Sequence, residues 1–488
     1  MKHSWVAPAA FLLSGALAAS ADPPPGTRVE SFDRDPDWEG LNNRAGRDTA
    51  RTVRHDFGYS ASNHAGGSTG EVGGFITAAA EPAYYGKRIA ARMLDDRLSA
   101  SGSLVCSGEH FHVLLGFFNS RTLNEWRTPN TIAIRLQGRG DVFYAYVEYA
   151  TQEWRAGGDS PGGFATVLPP GAGRPQLRGF LRGTVHRWSI QYDPTGNQGA
   201  GAVTVTIDDE TAVCELGAGH KQDGATFDHF GLLPVLKSAD DGGEVWLDDV
   251  TVNGTVDDFS HDPGWDGYHN RRTYETHEIR PYWDFGYSPT HFAGGREPGE
   301  IGGTIYRGDC RYADKLAYYG DRLGPLTLDR PMSATGRIAM LRGVSDSTTL
   351  IGFLNSVDSI SVSESQSSAL PKSFVGIALE GPSREGFLVY PVFRTSDGLE
   401  GNGAGRGMLR IRPDGASHTW SLRWAPDGAG PGSMEVSLDG QVLSIELDPA
   451  VSRSATRLDR FGVVTTWIDG NGQRVFLDDL EYTCTQQQ

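Results

Sequence analysis

Two short segments carry the residues best suited to chemistry. In TIAIRLQ (131–137), Arg135 and Gln137 alternate with Ile132, Ile134 and Leu136; in VFYAYVEYA (142–150), Tyr144, Tyr146 and Glu148 alternate with Phe143, Ala145, Val147 and Tyr149. Successive strand side chains point to opposite faces, so if these segments are neighbouring strands one face presents an arginine, a glutamine, two tyrosines and a glutamate. Such a face suits a saccharide, because rings stack on sugar C–H faces and planar polar groups bind hydroxyls or carboxylates in pairs. Two Glu-Trp-Arg triplets, Glu125-Trp126-Arg127 and Glu153-Trp154-Arg155, flank the two segments. They are expected in loops at the sheet rim, where a rigid scaffold holds binding groups.

Three chemistries are open to this set. Glycoside hydrolysis needs two carboxyl groups astride the bond, a role for Glu148 with Glu125 or Glu153. Elimination from a uronate needs a base such as Tyr146 or His186, with Arg135 neutralising the carboxylate. Plain binding needs only Arg135, Gln137, Tyr144 and the triplets' Trp126, Arg127, Trp154 and Arg155. No nucleophile elbow, phosphate loop, His-Glu-x-x-His zinc motif or dinucleotide fingerprint occurs.

The elements that must position these residues come in two copies. FDRDPDWEGLNNR (32–44) parallels FSHDPGWDGYHNR (259–271), DFGYS (56–60) recurs at 284–288, GFFNS (116–120) is answered by GFLNS (352–356), and VWLDDV (245–250) by VFLDDL (475–480). Order and spacing are kept, which marks a tandem duplication of a domain-sized unit of about 220 residues. The boundaries expected from this are 31–253 and 257–484, after a signal peptide at 1–21 that ends in Ala19-Ser20-Ala21. Strand-length alternation, 64 glycines and 26 prolines predict an all-β chain of two antiparallel sandwiches. The platform residues belong to the first copy alone, since Ala378, Leu388 and Val392 stand where it has Arg135, Tyr144 and Glu148, and only Tyr390 is kept for Tyr146.

Acids shared by both copies, Asp35 and Glu39 with Asp262 and Asp266, and Asp248-Asp249 with Asp478-Asp479, suit a structural Ca²⁺ in each unit if first and last strands meet. Only one residue of each Asp-Asp pair can face an ion, Asp249 and Asp479 being the candidates; turns and strand-end hydrogen bonds would use the same acids. Glu71 and Glu300, in glycine-rich loops, and His186 and His418, each two residues before a tryptophan, read as structural. Cys106 with Cys214, and Cys310 with Cys484, are expected as one disulfide per unit of an exported protein.

HRWSIQYDPTGNQGAGAVTVTIDD (186–209), HTWSLRWAPDGAGPGSMEVSLDG (418–440) and the closing WLDDVTV and FLDDLEY resemble the hairpin and last strand of concanavalin A-like lectin and glucanase domains, and of jelly-roll carbohydrate-binding modules. The resemblance implies a jelly-roll β-sandwich and a glycan as partner. A formal charge of −17 argues against nucleic acid, and past the leader no apolar run reaches membrane-spanning length. The reading is a secreted, periplasmic or cell-surface protein that binds and cleaves a polysaccharide or oligosaccharide on its first unit, as glycoside hydrolase or polysaccharide lyase. The alternative is a non-catalytic glycan-binding or structural surface protein.

Overall fold

The computed structural model describes residues 26–44, 49–124, 128–158, 164, 166–167, 176–427, 430, 432–447, 453 and 455–484. The leader at 1–21 and the triplet Glu125, Trp126 and Arg127 lie outside them.

The protein is all-β, built on four large antiparallel sheets, two to a unit. In the first unit the front sheet runs Ala156–Gly158, Val142–Ala150, Thr131–Arg139, His112–Phe118, Thr226–Pro234, Tyr84–Met93, Asp266–Tyr268. The back sheet runs Glu210–Glu215, Ala202–Ile207, His186–Asp193, Leu98–Ser107, Gly242–Val252, Glu71–Thr77, Arg51–Ser60, Arg271–Thr276. The alternation seen in the sequence is the reason for the layering. Phe143, Ala145, Val147 and Tyr149 from the front sheet and Leu104, Trp188, Val205 and Leu247 from the back sheet share one buried core. The second unit repeats the plan around its own core, with Ile377, Phe393, Trp420 and Leu477 among its residues.

The duplicated opening motif does not dock where chain order places it. Thr27–Glu30 pairs with Gly472–Thr483, and Glu39–Leu41 with Tyr318–Thr327, so residues 27–41 complete the second sandwich. Reciprocally, Thr255–Asp257, Asp266–Tyr268 and Arg271–Thr276 complete the first. Phe32 and Trp38 lie in the second unit's core, Phe259 and Trp265 in the first's. The boundaries 31–253 and 257–484 are therefore corrected: each sandwich wears the opening arm of the other.

The glycine-rich loops serve this exchange. A Cβ on Gly70 (φ +109°) would stand 1.9 Å from the Phe259 carbonyl oxygen, and one on Gly299 (φ +120°) 1.8 Å from that of Phe32. Only glycine admits the arm at that distance. The following acids tie the loops down. Buried Glu71 accepts the His64 and Ala65 N–H groups at 2.9 and 2.8 Å, and Glu300 those of Phe292 and Ala293 at 2.9 and 2.7 Å.

The expected disulfides are corrected, because no two of the four cysteines come within bonding distance. Cys106 and Cys214 enter the first core from different back-sheet strands. Cys310 packs with Leu316 and Trp467, whereas Cys484 follows the last strand and gives its backbone N–H to Gly26.

One buried histidine has a measurable consequence. His55 is 2% exposed, meets Phe57 edge-on at 5.8 Å, and neither ring nitrogen has a hydrogen-bond partner among the described residues. Burial, aided by the neighbouring His269 and Arg272, pushes its pKa down to about 4. The unfolded chain takes up this proton near the usual 6.5, the native chain only near 4, so stability is full above the first value and lost as pH falls toward the second. The loss is on the order of 3 kcal/mol. Urea midpoints measured across this range should fall less steeply for His55→Phe than for the parent; equal slopes would mean the imidazole is not desolvated.

Candidate functional site

The 131–139 and 142–150 strands are neighbours, and the 112–118 strand lies on the other side of 131–139. Register aligns side chains in rows across the outer face of the front sheet. His112, Gln137 and Tyr144 form one row, Leu114, Arg135 and Tyr146 the next, Gly116, Ala133 and Glu148 the third. Leu114, Phe118, Ala133, Leu233 and Val235 make a small apolar floor beside the polar rows, packed by Leu123 from the segment that follows the 112–118 strand.

Charge on this face is internally matched. Arg135 and Glu148 are 4% and 2% exposed and joined at 2.6 Å from Nε to Oε1. The same guanidinium lies 3.9 Å from the Tyr146 ring centroid, a cation–π contact, and Nη1 donates to Gln137 Oε1 at 3.3 Å. Tyr144, Tyr146 and Gln137 remain partly exposed. Beside Gln137 a cavity of about 80 Å³ is lined by His110, Phe111, His112, Gly138 and Asp240. Burial, reinforced by the positive Lys237 and Arg135, pushes the His112 pKa down to about 3, so its imidazole is neutral at physiological pH. Lys237 is ion-paired with Asp240.

His112, on this face, and Lys237, whose charge lies near it, are the residues that alternation missed. The duplication held the signal, since the second copy has Thr348 and Ile468 at those positions. In that copy the equivalent face is closed. Ala378 and Val392 are each 1% exposed, Tyr390 is bonded to Glu380, and Leu388 packs on the core.

Other sequence candidates lie elsewhere. His186 belongs to the back sheet, its Nδ1 2.7 Å from Asp208 and its Nε2 2.8 Å from the Leu181 carbonyl oxygen, and it anchors a hairpin as His418 with Asp439 does. Glu153, Trp154 and Arg155 are in the joint between units. Glu153 is ion-paired with Arg412, Trp154 packs against the second core, and Arg155 joins Asp223 and Glu385, each at 3.0 Å. These residues differ between the copies because each copy presents a different surface to this joint.

The acids expected at a shared ion are dispersed, since the arms that carry four of them have changed units. Glu39 meets Arg322 and Arg460, and Asp266 meets Arg88 and His229. Asp35 and Asp262 cap their own turns at Asp37 and Gly264. Asp249 pairs with Arg187 and Asp479 with Arg296, while Asp248 and Asp478 each accept the next residue's N–H at 2.7 Å, at a bulge in the strand. Among the described residues no three His, Cys, Asp or Glu side chains gather as a cation site.

No family model matches the chain, and no curated protein does. Solved structures resemble it loosely. An endo-β-1,4-glucuronan lyase from the fungus Trichoderma reesei is 11% identical over 41% of this chain and 88% of its own, with a TM-score of 0.30. The carbohydrate recognition domain of Emp47p is 9% identical over 41% and 89%, with a TM-score of 0.27, and mouse laminin α1 domains LG4–5 are 10% identical over 96% and 100%, with a TM-score of 0.21. The all-β sandwich architecture rests on the chain's own sheets.

Proposed function

We propose that the protein binds a uronate-containing polysaccharide on the outer face of its first unit and cleaves it by β-elimination. The observation that carries this reading is the pair of adjacent rows His112–Gln137–Tyr144 and Arg135–Tyr146, which combine a neutral imidazole, an amide, a guanidinium and phenol hydroxyls on one face. In such a step a base removes the proton from the carbon bearing the carboxylate, the C4–O bond breaks as the C4=C5 double bond forms, and an acid protonates the departing oxygen. His112 is placed to accept the first proton once the bound carboxylate offsets the positive Lys237 and Arg135 that help hold its basicity down, and Tyr146 to give the second. Gln137 and an Arg135 N–H would hydrogen-bond the carboxylate, the ligand oxygen replacing the long 3.3 Å contact between them while Glu148 stays paired with the guanidinium.

Hydrolysis finds less support. Glu148 is closed into its ion pair with Arg135, and Glu153 is committed to Arg412 in the joint. Neither has the open carboxyl that a two-carboxylate mechanism uses. Binding without turnover would use the same face.

Full-length protein incubated with uronate-containing and neutral polysaccharides decides the matter. Elimination gives products with ultraviolet absorbance from the new double bond, and His112→Asn and Tyr146→Phe should each lower that rate by about 10²-fold or more. New reducing ends without absorbance would replace elimination by hydrolysis. Retention on the polysaccharide with neither signal would leave a binding protein.

A further inference from the structure

The first sandwich is open along one side, where the edge strand Ala156–Gly158 of its front sheet parts from the edge strand Glu210–Glu215 of its back sheet. The second unit closes this gap with the turn around 383–386. Ala156 N–H donates to the Arg384 carbonyl oxygen at 3.0 Å, and Arg155 reaches Glu385 at 3.0 Å. Behind the turn is a cavity of about 550 Å³, whose lining includes Tyr149, Cys214, Gly217, His220, Arg384 and Glu385. It is on the core side of the front sheet, since Tyr149 alternates with Glu148 and belongs to the buried core. It is therefore separate from the outer-face platform.

The polar groups around this space are ordered. The Tyr149 hydroxyl accepts the Gly217 N–H at 2.7 Å and lies 2.9 Å from His220 Nδ1, placed to give that nitrogen its own proton. In that arrangement the imidazole carries its own proton on Nε2, which faces Glu385 Oε1 at 3.7 Å. That separation is too long for a direct hydrogen bond. A hydroxyl lying alongside both groups would accept from Nε2–H and donate to the carboxylate. Burial, with Arg155 nearby, holds the His220 pKa below its ordinary value, and burial pushes Tyr149 up to about 12, so both rings are neutral at physiological pH. Around the space Glu215, Asp223 and Glu385 are matched by Arg155, Arg384 and Arg410, with Arg155 and Arg410 each 3.0 Å from Glu385, which leaves little field for an anion.

The sandwich does not require this arrangement. The second copy has Phe393 for Tyr149 and Val451 for His220. A Cβ on Gly157 would lie 2.3 Å from the Tyr149 ring, so the edge strand yields room for that phenol. A cavity of this size is within the range of small-molecule sites, with paired donors and acceptors but no net charge.

We propose that the cavity between the units is a second ligand site, selective for a neutral polyhydroxylated ligand of one or two sugar rings, with one of its hydroxyls bridging His220 Nε2 and Glu385. Because both units contribute, occupancy would also tighten the joint.

Saturation-transfer NMR on the full chain, with glucose, galactose, mannose, xylose, maltose and cellobiose as probes and glucuronate as charged control, tests this. At least one neutral sugar should bind. Its affinity should drop at least tenfold in His220→Gln and in Glu385→Gln, the latter a half-exposed position that leaves the core intact, and be unchanged in the platform variant His112→Asn. Three results would overturn the site: no neutral sugar bound, equal binding by Glu385→Gln, or loss in His112→Asn with retention in Glu385→Gln. The last would assign the signal to the outer face. The elimination reading stands or falls on product absorbance, independently of these probes.

Discussion

Arg135→Ala should lower the stability of the first unit by about 3–5 kcal/mol, because it strands the Glu148 carboxylate in a site 2% exposed. The guanidinium meets that carboxylate at 2.6 Å and stacks on Tyr146, so truncation removes a charge partner and a packing surface together. The double variant Arg135→Met, Glu148→Leu should recover stability to within about 1 kcal/mol of the parent, since an apolar pair of similar volume needs no desolvation. It should still fail to bind polysaccharide, because the guanidinium that meets the carboxylate is gone. Urea unfolding and a pull-down on the same two proteins separate fold from function. Unchanged stability in the single variant would show that water reaches Glu148, and retained binding in the double variant would move the site away from this face.

How much of this was legible in the sequence differs by residue. The face carrying Arg135, Gln137, Tyr144, Tyr146 and Glu148 followed from alternation alone, because period two is a geometric property of a strand and both segments are regular. That they are adjacent was an assumption, now seen in the register. The mutual neutralisation of Arg135 and Glu148 was not legible, since spacing shows which side a residue faces and not which neighbour it grips. Comparison of the copies had a second weakness. A residue peculiar to one copy can mark a ligand site or the asymmetric joint between the copies, and Trp154 and Arg155 are of the second kind. His112 and Lys237 were equally peculiar to the first copy, but stood outside the two segments whose alternation drew attention.

The exchanged arms were invisible for a different reason. The motif at 32–44 and its counterpart at 259–271 are so alike that aromatic pattern alone does not say which sandwich each joins. Charge does. The second unit has Asp321 where the first has Lys87, and each finds its opposite on the arm that reaches it, Asp321 with Arg28 and Lys87 with Asp257 at 2.6 Å. An acid stands at the same register on both arms, Glu30 on one and Asp257 on the other, so the discriminating residue is Arg28: the wrong arm would put Thr255 in its place and leave Asp321 beside an acid with no cation.

This exchange makes a prediction that chain order would reverse. Phe32 is 1% exposed and packs edge-on against Trp38 at 5.4 Å, and Trp38 in turn meets Tyr319 and Tyr482 of the second unit at 5.7 and 6.0 Å. Phe32→Ala should therefore cost about 3–5 kcal/mol, and the loss should fall on the second unit. Amide exchange should accelerate in the strands at 318–327 and 457–464, while those at 84–93 and 226–234 keep their protection. Phe259→Ala, which removes the ring packed on Trp265 at 5.4 Å, should do the opposite. If Phe32→Ala instead loosens the first unit, the arms are not exchanged in solution. The dispersal of Glu39 and Asp266 among arginines of the other unit would then lose its basis, and calcium between the first and last strands of each unit would return as the better account of those acids.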